Sequence, residues 1–198
     1  MLAELPDEER PIADPADVPS LVGVDGRLRG TNPIRVLGLL GRLPVDQLER
    51  EIVAQVEAVR GQGVPVSHVD SHRHLHKYLS FRRALRRALP RLGIARVRNV
   101  QDVYLRRPLV SPTVWLGRRW RRDLMAGFAT TDHFYMPATA GDTTWNELLL
   151  RLPLGDTLEV GVHPGYEEEW RTNERRAVHE FAPAATEQGH TLISWREV

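Results

Sequence analysis

The sequence contains no cysteine, a single lysine (Lys77) and no long apolar run. Without cysteine, disulfides and thiolate metal sites are excluded, so any metal must be bound by His, Asp or Glu. No stretch of about 18 apolar residues exists that could form a membrane-spanning helix. The first twenty residues are acidic and proline-rich and lack the basic and apolar regions of a secretory signal. We therefore expect a cytoplasmic location.

The charges are almost balanced, with 27 basic and 26 acidic residues and a formal net charge of +1. Hydrophobic residues make up 41% of the chain, which is typical of one globular domain spanning residues 1–198. An arginine-rich stretch between Arg82 and Arg91 resembles a phosphate-binding surface. Its arginines lie opposite the apolar stripe of a predicted helix, so a solvated outer face explains them. We expect neither nucleic acid nor membrane as a partner.

Strand-like and helix-like patterns alternate along the chain after an N-terminal loop over residues 1–33 with a turn at Asp25-Gly26. Such alternation predicts an α/β fold with a parallel sheet, either open or curled into a barrel. In these folds the chemistry lies at the carboxyl ends of the strands. Helices are predicted from Pro44 to Gly61, from an N-cap at Ser80 to Gly93, through Trp120 to Phe128, from a Thr144/Glu147 capping box to Leu152, and from an Asn173 cap to Gly189; strands are predicted over 64–70, 95–100, 132–136, 157–163 and 191–195.

A histidine cluster follows the first of these strands. Four of the eight histidines, His68, His72, His74 and His76, lie within nine positions together with Asp70. Neutral imidazole and carboxylate are suitable ligands for divalent ions such as zinc when no thiolate is available. In an extended segment, a spacing of two would place His72, His74 and His76 on one side, although a turn after the strand would break that alignment. Asp70 could bind a metal directly or hold a ligand histidine through its other ring nitrogen.

A second histidine, His163, ends the predicted strand 157–163 and is followed by Pro164-Gly165-Tyr166. One interpretation is a turn that ends the strand, in which Pro and Gly determine the backbone and the histidine has no functional role. The position at a strand's carboxyl end favours a place at the functional face. From this segment alone, both interpretations stay open.

Together these segments resemble the YdjC/ChbG family of carbohydrate deacetylases, which also includes the hopanoid-associated HpnK proteins. The family pattern H-x-D-S-H-x-H-x-H matches residues 68–76, its H-P-G-Y segment matches 163–166, and its closing strand is similar to 191–197. Residues 17–30 also resemble a loop of the family. The resemblance implies a modified (β/α) barrel and a hydrolase that removes acetyl groups from N-acetylated sugars, such as chitooligosaccharides, with a divalent ion, Mg or Zn.

The resemblance also implies roles for individual residues. His72 is the expected metal ligand, and His163 and Asp70 are the expected catalytic residues, with His163 as a proton donor. Positions near the sugar or behind the ligands are expected for the remaining members of the two segments, which are His68, His74, His76 and Tyr166.

The sequence departs from the family in one respect. Members begin with a strand that ends in Asp-Asp-x-Gly and carry a second early strand that ends in Gly-x-His, and neither motif precedes the histidine cluster here. We therefore expect a barrel that is incomplete at its N-terminus, with two metal ligands missing, weak metal binding and poor turnover. Open strand edges would also favour association, so a homodimer is a potential state.

Two alternatives stay open. One is an inactive remnant that binds a sugar or a partner chain without hydrolysing it. The other is a different metal-dependent hydrolase, such as a phosphoesterase, which would also use clustered His and Asp.

Overall fold

The computed structural model describes residues 10–105, 112–137, 139, 141–152 and 156–198. Their contacts divide the chain into two compact units. Unit 1 comprises Met1–Arg98 and Trp120–Ala129, and unit 2 comprises Asn99–Arg119 and Thr130–Val198. That residues 1–198 form a single domain stays a prediction.

Helices dominate unit 1. These are α1 (Thr31–Leu39), α2 (Val45–Gly61), a 3-10 helix (His72–Lys77) and α3 (Leu79–Arg91). Helix α2 buries Leu48, Ile52 and Val56 at helical spacing, as predicted, and packs against α3. Helix α3 ends before Gly93, whose φ of +66° suits a glycine stop. Burial of these two apolar stripes forms the core of the unit.

The start of α3 and all of α1 differ from the sequence prediction. Helix α3 begins at Leu79 with Tyr78 as its N-cap, so the prediction of a Ser80 cap is wrong. Ser80 is 1% exposed within the first turn. Helix α1 was not predicted because its short stripe, Thr31, Ile34 and Gly38, contains one strongly apolar residue.

The two strands predicted in unit 1 form single parallel bridges in place of ladders. Val69 pairs with Val97, and Arg96 pairs with Ala129. Two hydrogen bonds support the first bridge, from the Val69 N–H to the Arg96 oxygen and from the Arg98 N–H to the Val69 oxygen, each 3.0 Å long. Pro65, which has no N–H to donate, interrupts the early part of the predicted strand. The segments run in the predicted direction, but their pairing is short.

Unit 2 contains the two strands that pair regularly. Strand β1 (His133–Tyr135) lies parallel to β2 (Leu158–Val160), with Phe134 opposite Glu159. Helix α5 (Trp145–Leu150) and helix α6 (Glu169–Glu187) pack against each other, and α4 (Pro112–Met125) crosses the boundary between the units in sequence. The core of the unit contains Val103, Tyr135, Trp145, Leu149 and Ala177. The result is a mixed α/β fold with a small parallel sheet, as predicted at the level of fold class.

Of the two helix caps predicted in unit 2, the position of Thr144 is confirmed without its capping-box bond, and the Asn173 cap is wrong. Thr144 is the N-cap of α5 but makes no capping bond, because its hydroxyl donates to Asp142 Oδ1 at 2.7 Å. Helix α6 begins at Glu169, so Asn173 lies inside it. The predicted last strand, 191–195, has no strand pairing and ends in a turn.

Within the described ranges, no helix combines the length and apolar character needed to cross a bilayer.

Candidate functional site

The histidine-rich segment of unit 1 is a tight turn and not an extended strand. Residues His72–Lys77 form a 3-10 helix in which Arg73 and His74 have φ values of 49° and 57°. Such left-handed positions are uncommon for residues other than glycine. The backbone turn at Arg73 and His74 therefore breaks the alignment that an extended segment would give to the histidines, which is one of the two outcomes that the sequence left open.

Ser71 and His76 fix this turn from inside. The Ser71 hydroxyl lies 2.7 Å from His76 Nδ1, and the His76 backbone N–H donates to Ser71 Oγ at 2.8 Å. The His76 side chain is 0% exposed. Its ring therefore stabilises the turn, and its expected place near the sugar stays a prediction.

His72 and His74 lie nearer the surface. His72 is half-buried, and its Nε2 accepts a hydrogen bond from Arg73 Nε at 3.2 Å. The residue lines a small cavity of about 60 Å³ together with apolar side chains such as Leu75. The His74 ring stands edge-on to the His76 ring, with 6.1 Å between centroids. The role of His72 as a metal ligand stays a prediction, since its Nε2 is in contact with a guanidinium in this structure.

Asp70 is held by an ion pair with Arg98, a residue that the sequence analysis did not identify. Asp70 Oδ2 lies 2.6 Å from Arg98 Nη1, and Asp70 Oδ1 accepts the Ser71 N–H at 2.6 Å. Burial raises the pKa of Asp70 above its ordinary value, while Arg98 and the Ser71 N–H oppose that rise. The carboxyl group is therefore a better proton acceptor than an exposed aspartate, and its orientation is fixed.

His68 is kept neutral by its surroundings. Burial, followed by the positive charge of Arg98, lowers the pKa of His68 from 6.5 to about 4. Its Nδ1 lies 3.0 Å from the Ser67 hydroxyl. His68, Asp70, Ser71 and His76 all line a cavity of about 490 Å³ in unit 1. Neutral imidazole, carboxylate and hydroxyl groups thus share one wall of a space that is large enough for a sugar ring.

Within the described ranges, no three His, Asp or Glu side chains are gathered closely enough to hold a metal ion. The described residues therefore do not form a three-ligand metal site.

The second histidine region lies in unit 2, where His163 follows β2. The His163 backbone N–H donates to Glu174 Oε2 at 2.6 Å, and its Nδ1 lies 3.7 Å from the same oxygen. The His163 side chain is 51% exposed, whereas that of Glu174 is 2% exposed. A buried carboxylate from α6 therefore lies behind a histidine that solvent can reach.

Two glycines allow the backbone to approach helix α6 here. A Cβ on Gly165 would lie 2.8 Å from Arg171 Cδ, and one on Gly141 would lie 3.1 Å from Trp170 Cβ. Gly141 also has a φ of +76° and donates its N–H to Glu174 Oε1 at 3.3 Å. The Pro-Gly turn after His163 thus has a structural role, in addition to any role of the histidine.

The aromatic residues near His163 differ in exposure. Tyr166 is 80% exposed, and the Arg175 guanidinium lies over its ring at 4.3 Å. The Trp170 ring is tilted against the His163 ring, with centroids 6.1 Å apart. Contact of Tyr166 with a sugar stays a prediction.

Glu174 was missed, although the sequence contains a signal for it. Glu174 lies at positions i, i+3, i+4 and i+7 with Ala177, Val178 and Phe181, which all contribute to the core or pack against it. A carboxylate on the apolar face of a predicted helix is costly to bury and indicates a specific partner. A second missed pair is Asp102 with His133, whose Oδ2 and Nδ1 lie 2.9 Å apart.

The fold is similar to that of a solved protein. Over 99% of this chain and 75% of the other, the structure matches an Enterococcus faecalis protein described as a cellobiose-phosphate cleavage protein, with a TM-score of 0.70 and 17% identity. At that identity the likeness defines an α/β fold and nothing about activity.

The sequence comparison identifies the family. The model of the YdjC-like proteins matches residues 3–193, and the chain belongs to that family. A carbohydrate deacetylase of Geobacillus stearothermophilus is 31% identical over 151 residues, which are 76% of this chain and 52% of that protein. One from Vibrio vulnificus strain YJ016 is 31% identical over 117 residues, 59% of this chain and 40% of that protein. The chain thus spans about half the length of these relatives or less.

Proposed function

We propose that this chain acts in the removal of acetyl groups from N-acetylated sugars of the chitooligosaccharide kind. Membership of the YdjC-like family and the names of two relatives support this proposal. The observation that carries it is the placement of His68 and Asp70 on one wall of a 490 Å³ cavity. A carboxyl group of raised pKa is the kind of group that accepts a proton in amide hydrolysis.

Asp70 is the proposed general base. Its burial raises its pKa and thereby strengthens it as a proton acceptor, while Arg98, at 2.6 Å, holds one oxygen in place. In this role Asp70 takes a proton from the water that attacks the acetamide carbonyl carbon. The attack forms the new C–O bond.

His163 is the proposed general acid. When the amide C–N bond breaks, the nitrogen leaves with the bonding pair and needs a proton, which the exposed imidazole of His163 can supply. The products are acetate and the free amino sugar.

A divalent ion, Mg or Zn, is a further part of the proposal, with His72 as the ligand that this chain contributes. The described residues gather no group of three ligands for such an ion. For this chain we expect weak binding of Zn²⁺ and slow turnover. Elemental analysis after dialysis tests this, and one tightly held ion per chain would contradict it.

A modified barrel is the proposed architecture of the sheet. Every parallel pairing in the described residues joins a segment to the next one along the chain: Val69 to Val97, Arg96 to Ala129, and β1 to β2. Successive parallel neighbours of this kind are typical of barrels, whereas doubly wound sheets reverse their strand order.

Sugar binding without hydrolysis is the second candidate. The absence of a three-ligand group within the described ranges favours it, because a metal hydrolase needs such a site. A homodimer would be compatible with either candidate.

Acetate release from diacetylchitobiose, measured beside cleavage of p-nitrophenyl phosphate, tests the proposal. We expect acetate release and no phosphate release. Changing His163 to Asn should abolish the acetate signal, and the matched change at the exposed His190 should leave it unaltered. Chitobiose binding without acetate would support the second candidate. Phosphoester cleavage with untouched sugar would overturn both.

A further inference from the structure

Glu174 is a buried carboxylate without a role in the chemistry proposed above. Its side chain is 2% exposed, although burial of a carboxylate costs several kcal/mol unless close partners compensate, so we expect such partners. Both of its oxygens accept backbone N–H groups, Oε1 from Gly141 at 3.3 Å and Oε2 from His163 at 2.6 Å. Helix α6 thus fixes the backbone that carries His163.

The same carboxylate faces the ring of His163. Oε2 lies 3.7 Å from Nδ1, which is beyond a hydrogen bond but within the range of an ion pair. An anion beside Nδ1 favours a proton on that nitrogen, and this determines which nitrogen is left for chemistry. Separations of this kind in a protein without substrate often shorten when substrate binds.

We propose that Glu174 is a positioning residue that holds a proton on Nδ1 of His163 and leaves Nε2 to face the substrate. This inference rests on the proposed role of His163 as proton donor. When Nε2 gives its proton to the departing amine, the proton that stays on the ring is on Nδ1, beside Glu174. The ring therefore completes the step as the tautomer that the carboxylate favours.

The first test is the tautomer of His163 in the wild-type chain, which needs no variant and no substrate. The ¹⁵N shifts of the two ring nitrogens distinguish a protonated nitrogen from a bare one, and they are read under conditions where the ring is neutral. We expect the proton on Nδ1. A ring with its proton mainly on Nε2 would overturn the proposal. Because this readout is independent of turnover, it decides the role of Glu174 even if the deacetylase proposal fails.

The second test compares two variants on the same helix. Glu174→Gln keeps the shape of the side chain and removes its charge, whereas Glu180→Gln makes the same change at an exposed position that contacts Asn146. We expect Glu174→Gln to shift the tautomer ratio toward Nε2–H and to lower kcat about 10- to 100-fold, with KM changed less than about twofold. Glu180→Gln should match the wild type.

A third variant separates positioning from folding. Glu174→Asp keeps the charge but shortens the side chain by one methylene, so we expect part of the Nδ1 preference and part of kcat to return relative to Glu174→Gln. Circular dichroism compares the folding of the variants. An unchanged tautomer ratio in a folded Glu174→Gln variant would contradict the proposal, as would a loss that appears in KM alone.

Discussion

The two histidine regions of this chain hold their rings by different means. In unit 1, four histidines within nine residues are held by near neighbours in the sequence, such as Ser71 for His76. In unit 2, His163 is held by Glu174, eleven positions later and from a helix. The first region is conspicuous in the sequence and compact in its contacts. The second consists of one histidine and a carboxylate that the fold alone brings to it.

This difference shows that a segment rich in histidines is not, for that reason alone, the better candidate for proton transfer. In the histidine-rich segment of unit 1, several polar side chains are bound to other side chains of the protein, because Ser71 bonds His76 and Arg98 holds Asp70. In unit 2, His163 is exposed and has the carboxylate of Glu174 behind it. Such an arrangement is typical of a histidine that acts as a general acid. We therefore expect proton transfer to depend more on His163, and metal affinity more on His72.

The largest effects should come from substituting these two histidines one at a time. His163→Asn should lower kcat for acetate release by about 10²- to 10⁴-fold, the usual contribution of a general acid, and leave Zn²⁺ affinity unchanged. His72→Ala should weaken Zn²⁺ binding by more than about tenfold, because even residues behind a ligand contribute that much. Isothermal titration calorimetry with Zn²⁺ and acetate release distinguish them. Loss of Zn²⁺ affinity in the His163 variant would remove the distinction between the regions.

The next largest effect should be a loss of stability from a substitution in the core of unit 2. Trp145 is 1% exposed and packs against Tyr135 and Phe181. Trp145→Ala should lower the free energy of unfolding by about 3–5 kcal/mol, as for other large core deletions. Leu148→Ala, on the same helix and 41% exposed, should cost less than about 1 kcal/mol. Urea unfolding measures both, and equal losses would mean that α5 does not pack as described.

The Asp70–Arg98 pair should contribute less. The side chains are 31% and 20% exposed, so the pair is partly desolvated, whereas those of Asp46 and Arg50 are 59% and 53% exposed. Asp70→Asn should lower the free energy of unfolding by about 1–3 kcal/mol, and Asp46→Asn by less than about 0.5 kcal/mol. Urea unfolding at neutral pH makes the comparison. A cost for Asp70→Asn no larger than that of the surface control would show that the ion pair does not hold the carboxylate.

How far the sequence predicted the structure depends on the range of the interactions. Apolar periodicity is local, so α2, α3 and the course of β1 and β2 followed from it. The Ser80 cap failed because that residue is buried within the first turn of α3, whereas Thr144 is the N-cap of α5 but uses its hydroxyl to bond Asp142, two residues before it. The strands over 64–70 and 95–100 shrank to bridges because pairing needs a partner that local pattern does not specify.

Prediction of the candidate site was limited in the same way, by interactions between residues that are distant in the sequence. The histidines were found by composition and resemblance, but local pattern could not decide between an extended segment and a turn, and the left-handed backbone angles of Arg73 and His74 make it a turn. Arg98 and Glu174 act across 28 and 11 residues of sequence, respectively, and no short motif contains them. Only the apolar stripe around Glu174 gave a usable signal.

The smallest effect concerns the acid response of the two regions. The folded-state pKa of His68 is about 4, below its ordinary value of 6.5, because of burial and of Arg98. Between these two pH values the unfolded chain binds more protons at this residue than the folded chain does. Stability is therefore lost as the pH falls from 6.5 toward 4 and is fully present above that window. For a half-buried ring, screened in part by solvent, we expect a loss of about 1–2 kcal/mol.

Urea unfolding of the wild type, His68→Gln and His190→Gln across this window tests the assignment. Other groups, including Asp70, also titrate as the pH falls, so the informative quantity is the difference between each variant and the wild type. His68→Gln removes the titrating ring and should flatten the wild-type curve by the stated amount, while His190→Gln, at an exposed position, should run parallel to the wild type. If the His68 variant also ran parallel, the ring would take up protons equally in both states, and the histidine on the cavity wall would not be held neutral.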